Sequence, residues 1–217
     1  MKILEMRPVS YNGRMDKISS GRVREVKTTL AAQVPKGSRV LEIGCGTGEL
    51  ASLLVEQGCV VAGFDLNPSM VKTAEKRIET DGLEGKFSVK RMGIEGMDGF
   101  PDSNFDAVVS TLVFSELNNN ERRFALEHAA RVLRPGGHIV IADEVVPRKA
   151  MRRFLHAAVR LPLLVATYLV TGASTRPVDD LSGQMSEVGF CVVKETRSHG
   201  DSFAIVFGFK KEKEDTS

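Results

Sequence analysis

Residues 40–48 read VLEIGCGTG, a short apolar run that opens directly into three alternating glycines. An apolar run of this length before a turn predicts a strand that is buried on both faces, as in parallel sheets. Because Gly44, Gly46 and Gly48 lack a Cβ, backbone N–H groups in this turn can approach a ligand closely. Glu42 precedes the first glycine by two positions, and its carboxylate would attract a cationic ligand and repel a pyrophosphate.

Segments with strand and helix patterns alternate on both sides of this stretch. The predicted helices cover residues 16–33, 49–57, 68–80, 120–133 and 178–188. The predicted strands cover residues 39–43, 59–64, 86–91, 105–110, 138–142, 190–195 and 203–210, with a turn at 134–137 and a polar turn at 198–201. This order predicts an α/β fold: a doubly wound, mostly parallel seven-stranded sheet with helices on both faces and an antiparallel C-terminal hairpin strand.

An aspartate ends the second predicted strand. Asp65 is followed by Leu66, by Asn67 as the expected N-cap and by Pro68 at the first helical position. A carboxylate at this strand end, 21 residues after Gly44, can accept hydrogen bonds from both hydroxyls of a ribose. Ligands of open α/β sheets bind at the carboxyl ends of the strands, so Glu42 and Asp65 are expected at one site.

Composition restricts the classes of function. The chain has 30 basic and 28 acidic residues, no tryptophan and two tyrosines, so neither a basic face nor stacking platforms favour a nucleic-acid partner. Three widely spaced cysteines without a CxxC pair predict free thiols and no metal site. The first residues show no secretory signal, so a cytoplasmic location is expected.

These segments resemble the motifs of class I S-adenosylmethionine-dependent methyltransferases. The resemblance covers about residues 38–145 and includes FPDSNFDAVVS at 100–110 and RVLRPGGHIVIADE at 131–144. It implies S-adenosylmethionine as cofactor, with Glu42 at its amino group, the glycine turn below its sugar and Asp65 on its ribose. The further cofactor contacts that it implies are Cys45, Leu66, Gly93, Ile94, Glu95, Thr111 and Leu112.

One position departs from the family pattern. The family usually has an aspartate or asparagine after the third strand, in contact with the adenine amino group, where this chain has Gly93 and Ile94. Backbone groups of these two residues could serve instead. Glu95 is either a further contact or a solvated loop charge.

No catalytic residue stands out in the sequence. A methyl group on a sulfonium is already electrophilic, so alignment of a nucleophile and exclusion of water are the main requirements. The substrate-site candidates are Phe114 and Glu116 after the fourth strand and Tyr11 and Arg14 before the first helix. Phe114 is alternatively a core residue, and Tyr11 is alternatively an exposed side chain. The four histidines, His128, His138, His156 and His199, are interpreted as structural or exposed.

The chain is expected to form one methyltransferase domain over residues 1–217. Its parts are an N-terminal helical cap (1–37), a cofactor-binding core (38–145), an apolar helical insertion (148–173) and a closing helix with a hairpin (178–210). The insertion is too short in its apolar part to span a bilayer. We interpret it as a lid over the active site, with a peripheral contact to a membrane or a partner protein as the alternative.

The methyl acceptor is left open as a small molecule or a protein-bound group. A second resemblance, to small methyltransferases described as associated with corrinoid proteins, rests on Phe114–Leu117 and 142–145 among other segments and implies a corrinoid protein as partner. The alternatives are a lipid-quinone-type methyltransferase and an accessory protein that binds the cofactor without catalysis. The glycine spacing and Glu42 disfavour a nicotinamide dehydrogenase, and the absence of an Asn/Asp-Pro-Pro-aromatic signature disfavours a DNA methyltransferase.

Overall fold

A seven-stranded sheet forms the centre of the protein. The computed structural model describes residues 22–148 and 176–211. The strands are β1 (Arg39–Ile43), β2 (Val60–Asp65), β3 (Phe87–Arg91), β4 (Phe105–Thr111), β5 (Leu133–Glu144), β6 (Phe190–Ser198) and β7 (Phe203–Lys210). Their order is β3-β2-β1-β4-β5-β7-β6; the first five are parallel, and β7 is antiparallel to both of its neighbours. The predicted mostly parallel sheet and its antiparallel C-terminal hairpin are confirmed.

Helices cover both faces of this sheet, as predicted. They are α1 (Arg22–Ala31), α2 (Glu49–Glu56), α3 (Pro68–Asp81), α4 (Asn119–Val132) and α5 (Leu181–Glu187). Buried residues of α4 and α5 pack with Leu41 and Ile139 on one face. Buried residues of α1, α2 and α3 pack with Val40 and Val140 on the other. Adjacent strand residues thus enter opposite cores, which explains why these strands are apolar at nearly every position.

Two predicted boundaries are wrong. The predicted helix over 178–188 begins only at Leu181, because Val178 forms a parallel bridge with Val145 and Asp180 caps the helix through Gly183 N–H. The predicted turn at 134–137 lies within β5, where the pairing with β4 shifts register between Phe105 and Ala107. In both places a contact with a distant strand overrides the local pattern.

The sheet topology defines the place for a ligand. The chain runs from β1 to β2 and β3 on one side and continues with β4 and β5 on the other, so the direction of winding reverses between β1 and β4. In doubly wound sheets the crevice at the carboxyl ends of such strands binds ligands. Among the described helices, none is long and apolar enough to cross a membrane.

Candidate functional site

The glycine turn after β1 requires glycine for two separate reasons. Gly44, Gly46 and Gly48 have φ values of +68°, +53° and +76°, in the left-handed region that disfavours other residues. In addition, a Cβ on Gly44 would lie 2.2 Å from Cγ2 of Val113, which follows β4. The turn therefore passes close to the segment after β4.

Asp65 connects the end of β2 to this turn. Its Oδ2 accepts a hydrogen bond from Gly46 N–H at 2.9 Å, and its Oδ1 accepts one from Asn67 N–H at 2.8 Å. Burial raises the pKa of this carboxyl, and the two hydrogen bonds oppose that rise. Each carboxylate oxygen can accept more than one hydrogen bond, so Asp65 can both shape the turn and bind a ligand hydroxyl.

Glu42 is a buried carboxyl with an unsatisfied oxygen. The residue is 3% exposed, and its Oε2 has no hydrogen-bond partner among the described residues. Burial raises its pKa to about 8; nearby Lys27 opposes this rise, and the charge of Asp65 adds to it. Lys27 itself is bound to Glu49 at 2.5 Å. A buried acceptor without a partner is costly, which indicates a group built to receive a hydrogen-bond donor from a ligand.

Cys45 lies between these carboxyls and is not a reactive thiol. Its side chain is buried against Gly63, where a Cβ would lie 3.1 Å from the Cys45 sulfur. Burial, together with the charges of Glu42 and Asp65, raises the pKa of the Cys45 thiol. The thiol therefore stays protonated and acts as a small packing group under the turn.

The end of β4 supplies a second unsatisfied polar atom. Thr111 ends the strand, and its Oγ1 is buried without a hydrogen-bond partner in the described part of the chain. Leu112 follows with a φ of +59°, an uncommon conformation for a side chain of this size, and its N–H donates to Ala142 O. Such local strain at a strand end is typical of functional sites.

In the segment after β3, the carboxyl of Glu95 lies against the backbone of Gly93. Gly93 is buried, and a Cβ on it would lie 2.2 Å from Oε2 of Glu95, whose side chain is exposed. Ile94 is partly buried against the core.

Leu66, after β2, is 69% exposed. An apolar side chain exposed beside Asp65 could cover an aromatic ring of a ligand.

The segment after β4 combines a core residue with a solvent-exposed acid. Phe114 is fully buried in the core, which favours the structural alternative for this residue. Glu116 ends the same short 3₁₀ helix, and its side chain is partly exposed. Protein packed around its carboxyl raises the pKa to about 7, and the negative charges of Asp143 and Asp65 act in the same direction.

Asp143 and Arg122 hold the segment after β4 by hydrogen bonds to its backbone. Both are buried charged residues that were not among the predicted site residues. Phe114 N–H donates to Oδ2 of Asp143 at 2.7 Å, and Phe114 O accepts from Nε of Arg122 at 2.6 Å. Burial raises the pKa of Asp143 to about 6. Arg122 could have been found from its spacing, since it lies three and four residues before the buried Ala125 and Leu126 on one face of α4.

Several residues considered in the sequence analysis lie outside the described residues or away from the carboxyl edge of the sheet. Tyr11, Arg14, His156 and all of the predicted insertion except Arg148 lie outside the described residues. His128 is on α4 with its Nε2 3.1 Å from Asp98, and His199 is in the hairpin turn. His138 lies near the start of the parallel part of β5, at the edge of the sheet opposite the glycine turn.

The described site therefore favours a ligand that carries positive charge. Four carboxyls, those of Glu42, Asp65, Glu116 and Asp143, are near enough to interact electrostatically in pairs at the carboxyl edge of the sheet. Such a group of acids would repel a dinucleotide's pyrophosphate and stabilise a ligand that carries positive charge. Glu42 Oε2 and Thr111 Oγ1 are buried and have no partner among the described residues, so both can accept hydrogen bonds from the ammonium and hydroxyl groups of a ligand.

Comparison with known proteins agrees with this description. Residues 41–141 match the model of a family described as a methyltransferase domain. The chain is 31% identical over 194 residues to the ubiquinone/menaquinone biosynthesis C-methyltransferase UbiE of Yersinia pestis, covering 82% of this chain and 76% of that protein.

Solved structures share the fold at low sequence identity. An S-adenosylmethionine-dependent methyltransferase from Mesorhizobium loti superposes with a TM-score of 0.66 and 18% identity, covering 84% of this chain and 96% of that one. The [4+2]-cyclase SpnF superposes with a TM-score of 0.69 and 18% identity, covering 87% and 81%. A cyclase among these neighbours means that the fold alone does not define the reaction. The relationship to UbiE and the family match do define the family: the chain belongs to the class I S-adenosylmethionine-dependent methyltransferases.

Proposed function

We propose that this methyltransferase transfers the methyl group of S-adenosylmethionine to a ring carbon of a hydroquinone-type acceptor. The observation that carries the acceptor class is the 31% identity to a quinone C-methyltransferase over 82% of this chain. The observation that carries the cofactor site is the meeting of the glycine turn, Glu42 and Asp65 at one edge of the sheet.

The residues present fit S-adenosylmethionine. The unsatisfied Oε2 of Glu42 would receive the ammonium of its methionine part, and the free lone pairs of Asp65 would receive the ribose hydroxyls. Backbone groups of Gly93 and Ile94 would meet the adenine, and Leu66 would cover its ring. The bound cofactor supplies a methyl group on a positively charged sulfur, which the surrounding carboxyls stabilise by charge.

Proton release provides a test of the role of Glu42. Because its pKa is about 8 before binding, Glu42 is mostly protonated at pH 7, and a bound ammonium would favour the charged form and release the proton. We therefore expect affinity to rise with pH up to about 8 and then to level off. Calorimetry at pH 7 in two buffers of different ionisation enthalpy should show release of up to about one proton.

The matched variant is Glu42→Gln, which keeps the shape of the side chain and cannot ionise. It should bind S-adenosylhomocysteine more weakly and without the buffer-dependent heat. Equal proton release by the variant and the wild type would contradict the assignment of Glu42.

Labelled methyl transfer tests the acceptor. The purified protein, methyl-labelled S-adenosylmethionine and a 1,4-naphthohydroquinone with a free ring position are incubated without oxygen. We expect the label in an extractable product that mass spectrometry and proton NMR identify as carbon-methylated. Label on oxygen, or no label from a protein that binds the cofactor, would contradict the proposed acceptor.

A corrinoid acceptor is a second candidate because of the resemblance carried by Phe114–Leu117 and 142–145. A parallel reaction with reduced cobalamin distinguishes the two. A methylcobalt absorption spectrum in that reaction, with no methylated hydroquinone in the first, would favour the corrinoid candidate over the hydroquinone.

A further inference from the structure

Of the four carboxyls at the site, those of Asp65, Asp143 and Glu42 either accept hydrogen bonds from the backbone or are buried in the protein. Asp65 accepts hydrogen bonds from the N–H groups of Gly46 and Asn67. Asp143 is fully buried and accepts from the N–H groups of Phe114 and Glu144. Glu42 is buried below the glycine turn, away from solvent. None of these three is placed to meet an acceptor that enters from outside.

Glu116 is different from these three. Its side chain is partly exposed at the carboxyl edge, and within the described residues its carboxyl makes no hydrogen bond and no ion pair. The charges that act on its carboxyl, those of Asp143 and Asp65, are both negative. A partly desolvated carboxyl that lies beside two acids and has no hydrogen bond or ion pair within the described residues is unfavourable for stability, which points to a function for this position.

The backbone that carries Glu116 is held firmly. Asp143 binds Phe114 N–H, Arg122 binds Phe114 O, and Ser115 O accepts from Arg176 N–H at 2.7 Å. These contacts come from β5, from α4 and from the segment before α5. Within the described residues, the charges of Asp143 and Asp65 act on Glu116, and Arg122 in turn interacts with the charges of Asp143 and Arg176.

We propose that Glu116 is the catalytic base that removes the hydroxyl proton of the acceptor. This inference rests on the hydroquinone acceptor proposed above. The acceptor's O–H bond breaks, the proton moves to a Glu116 carboxylate oxygen, and the electron pair stays on the acceptor and is shared with the adjacent ring carbon. That carbon forms the new bond to the methyl group while sulfur keeps the pair of the broken C–S bond. The ring proton is then lost to water, which restores the aromatic ring, and the product oxygen takes the proton back from Glu116, which returns to the carboxylate.

The properties of Glu116 suit this step. A base works best when its pKa is near the working pH, and the pKa of Glu116, raised by burial of the carboxyl, is about 7. When Glu116 takes up the proton it loses its negative charge. The electrostatic repulsion between Glu116 and the carboxylates of Asp143 and Asp65 is thereby relieved. The acceptor must consequently carry a dissociable O–H next to the methylated position.

The pH dependence of kcat/KM for labelled methyl transfer to 1,4-naphthohydroquinone tests this proposal. The wild type should lose activity as pH falls through about 7, because protonated Glu116 cannot accept a proton. Glu116→Gln should lower kcat/KM by ~10²-fold or more and remove this pH dependence. Glu116→Asp, which keeps a carboxyl, should retain the pH dependence at an intermediate rate.

Two controls separate chemistry from folding. Glu116→Gln should bind S-adenosylhomocysteine within about threefold of the wild type. Glu84→Gln, an exposed acid before β3 at the opposite edge, should behave as the wild type. If Glu116→Gln keeps both the rate and the pH dependence of an active wild type, the proposal for Glu116 is overturned and the hydroquinone acceptor stands. If the wild type does not methylate the hydroquinone, both are overturned.

Discussion

Replacing Asp65 by alanine is expected to raise the Kd for S-adenosylhomocysteine by ~100-fold or more. The substitution removes the acceptor of two hydrogen bonds from the ribose, and hydrogen bonds to a charged group contribute about 1.5–3 kcal/mol each. A loss of about 3 kcal/mol corresponds to a factor of ~100 in Kd. Equilibrium dialysis with labelled ligand measures the change over this range.

Asp65 also holds backbone N–H groups of Gly46 and Asn67, so a control must disturb the structure next to Asp65 without removing its carboxylate. Asn67→Ala does this, because it removes the hydrogen bond from Ser69 N–H to Asn67 Oδ1 that caps α3. Loss of this hydrogen bond should lower the free energy of unfolding by ~1 kcal/mol and change the Kd for S-adenosylhomocysteine by less than about threefold. Similar losses of affinity in both variants would mean that Asp65→Ala acts by disturbing the segment between β2 and α3 and not by removing a contact with the ligand.

Arg122→Met is expected to lower the free energy of unfolding by about 3 kcal/mol. Arg122 is 4% exposed, and it donates to Phe114 O at 2.6 Å and to Arg176 O at 2.9 Å. Methionine fills much of the same volume but leaves two carbonyl groups without donors and Asp143 with less positive charge nearby. For a chain of this size, the change corresponds to a Tm lower by ~6–12 °C.

The neighbouring Arg123 provides the matched control. Its side chain is 76% exposed and forms an ion pair with Glu127 at 2.8 Å on the surface of α4. Because exposed ion pairs contribute little, Arg123→Met should change the free energy of unfolding by less than ~0.5 kcal/mol. Guanidinium unfolding of both variants gives the comparison, and equal losses in the two would contradict the role of Arg122 inside the fold.

The fold was predictable where local patterns and tertiary contacts agree. The apolar run of β1, the glycine turn and the Asn67–Pro68 start of α3 each depend on neighbouring residues, and the structure has all three where the sequence places them. The start of α5 was not predictable in this way. Val178 continues the apolar pattern of a helix, but its backbone pairs with Val145, which lies far away in sequence.

The candidate site also contains some residues that local sequence patterns predict and others that depend on tertiary contacts. Glu42 and Asp65 were predictable because each stands at the carboxyl end of a recognisable strand. The hydrogen bonds of Arg122 and Asp143 to Phe114 were not predictable, because they join α4 and β5 to a segment between them. The environment of Glu116 is likewise tertiary, since its acidic neighbours come from β2 and β5.

Calorimetric titration of the wild-type protein with S-adenosylhomocysteine, and separately with NAD, tests the central claim most directly. The acidic carboxyl edge of the sheet should bind one S-adenosylhomocysteine per chain in a saturable manner and give no measurable heat with NAD. Absence of binding to S-adenosylhomocysteine and S-adenosylmethionine, or tighter binding of NAD, would contradict the cofactor site described for Glu42, the glycine turn and Asp65.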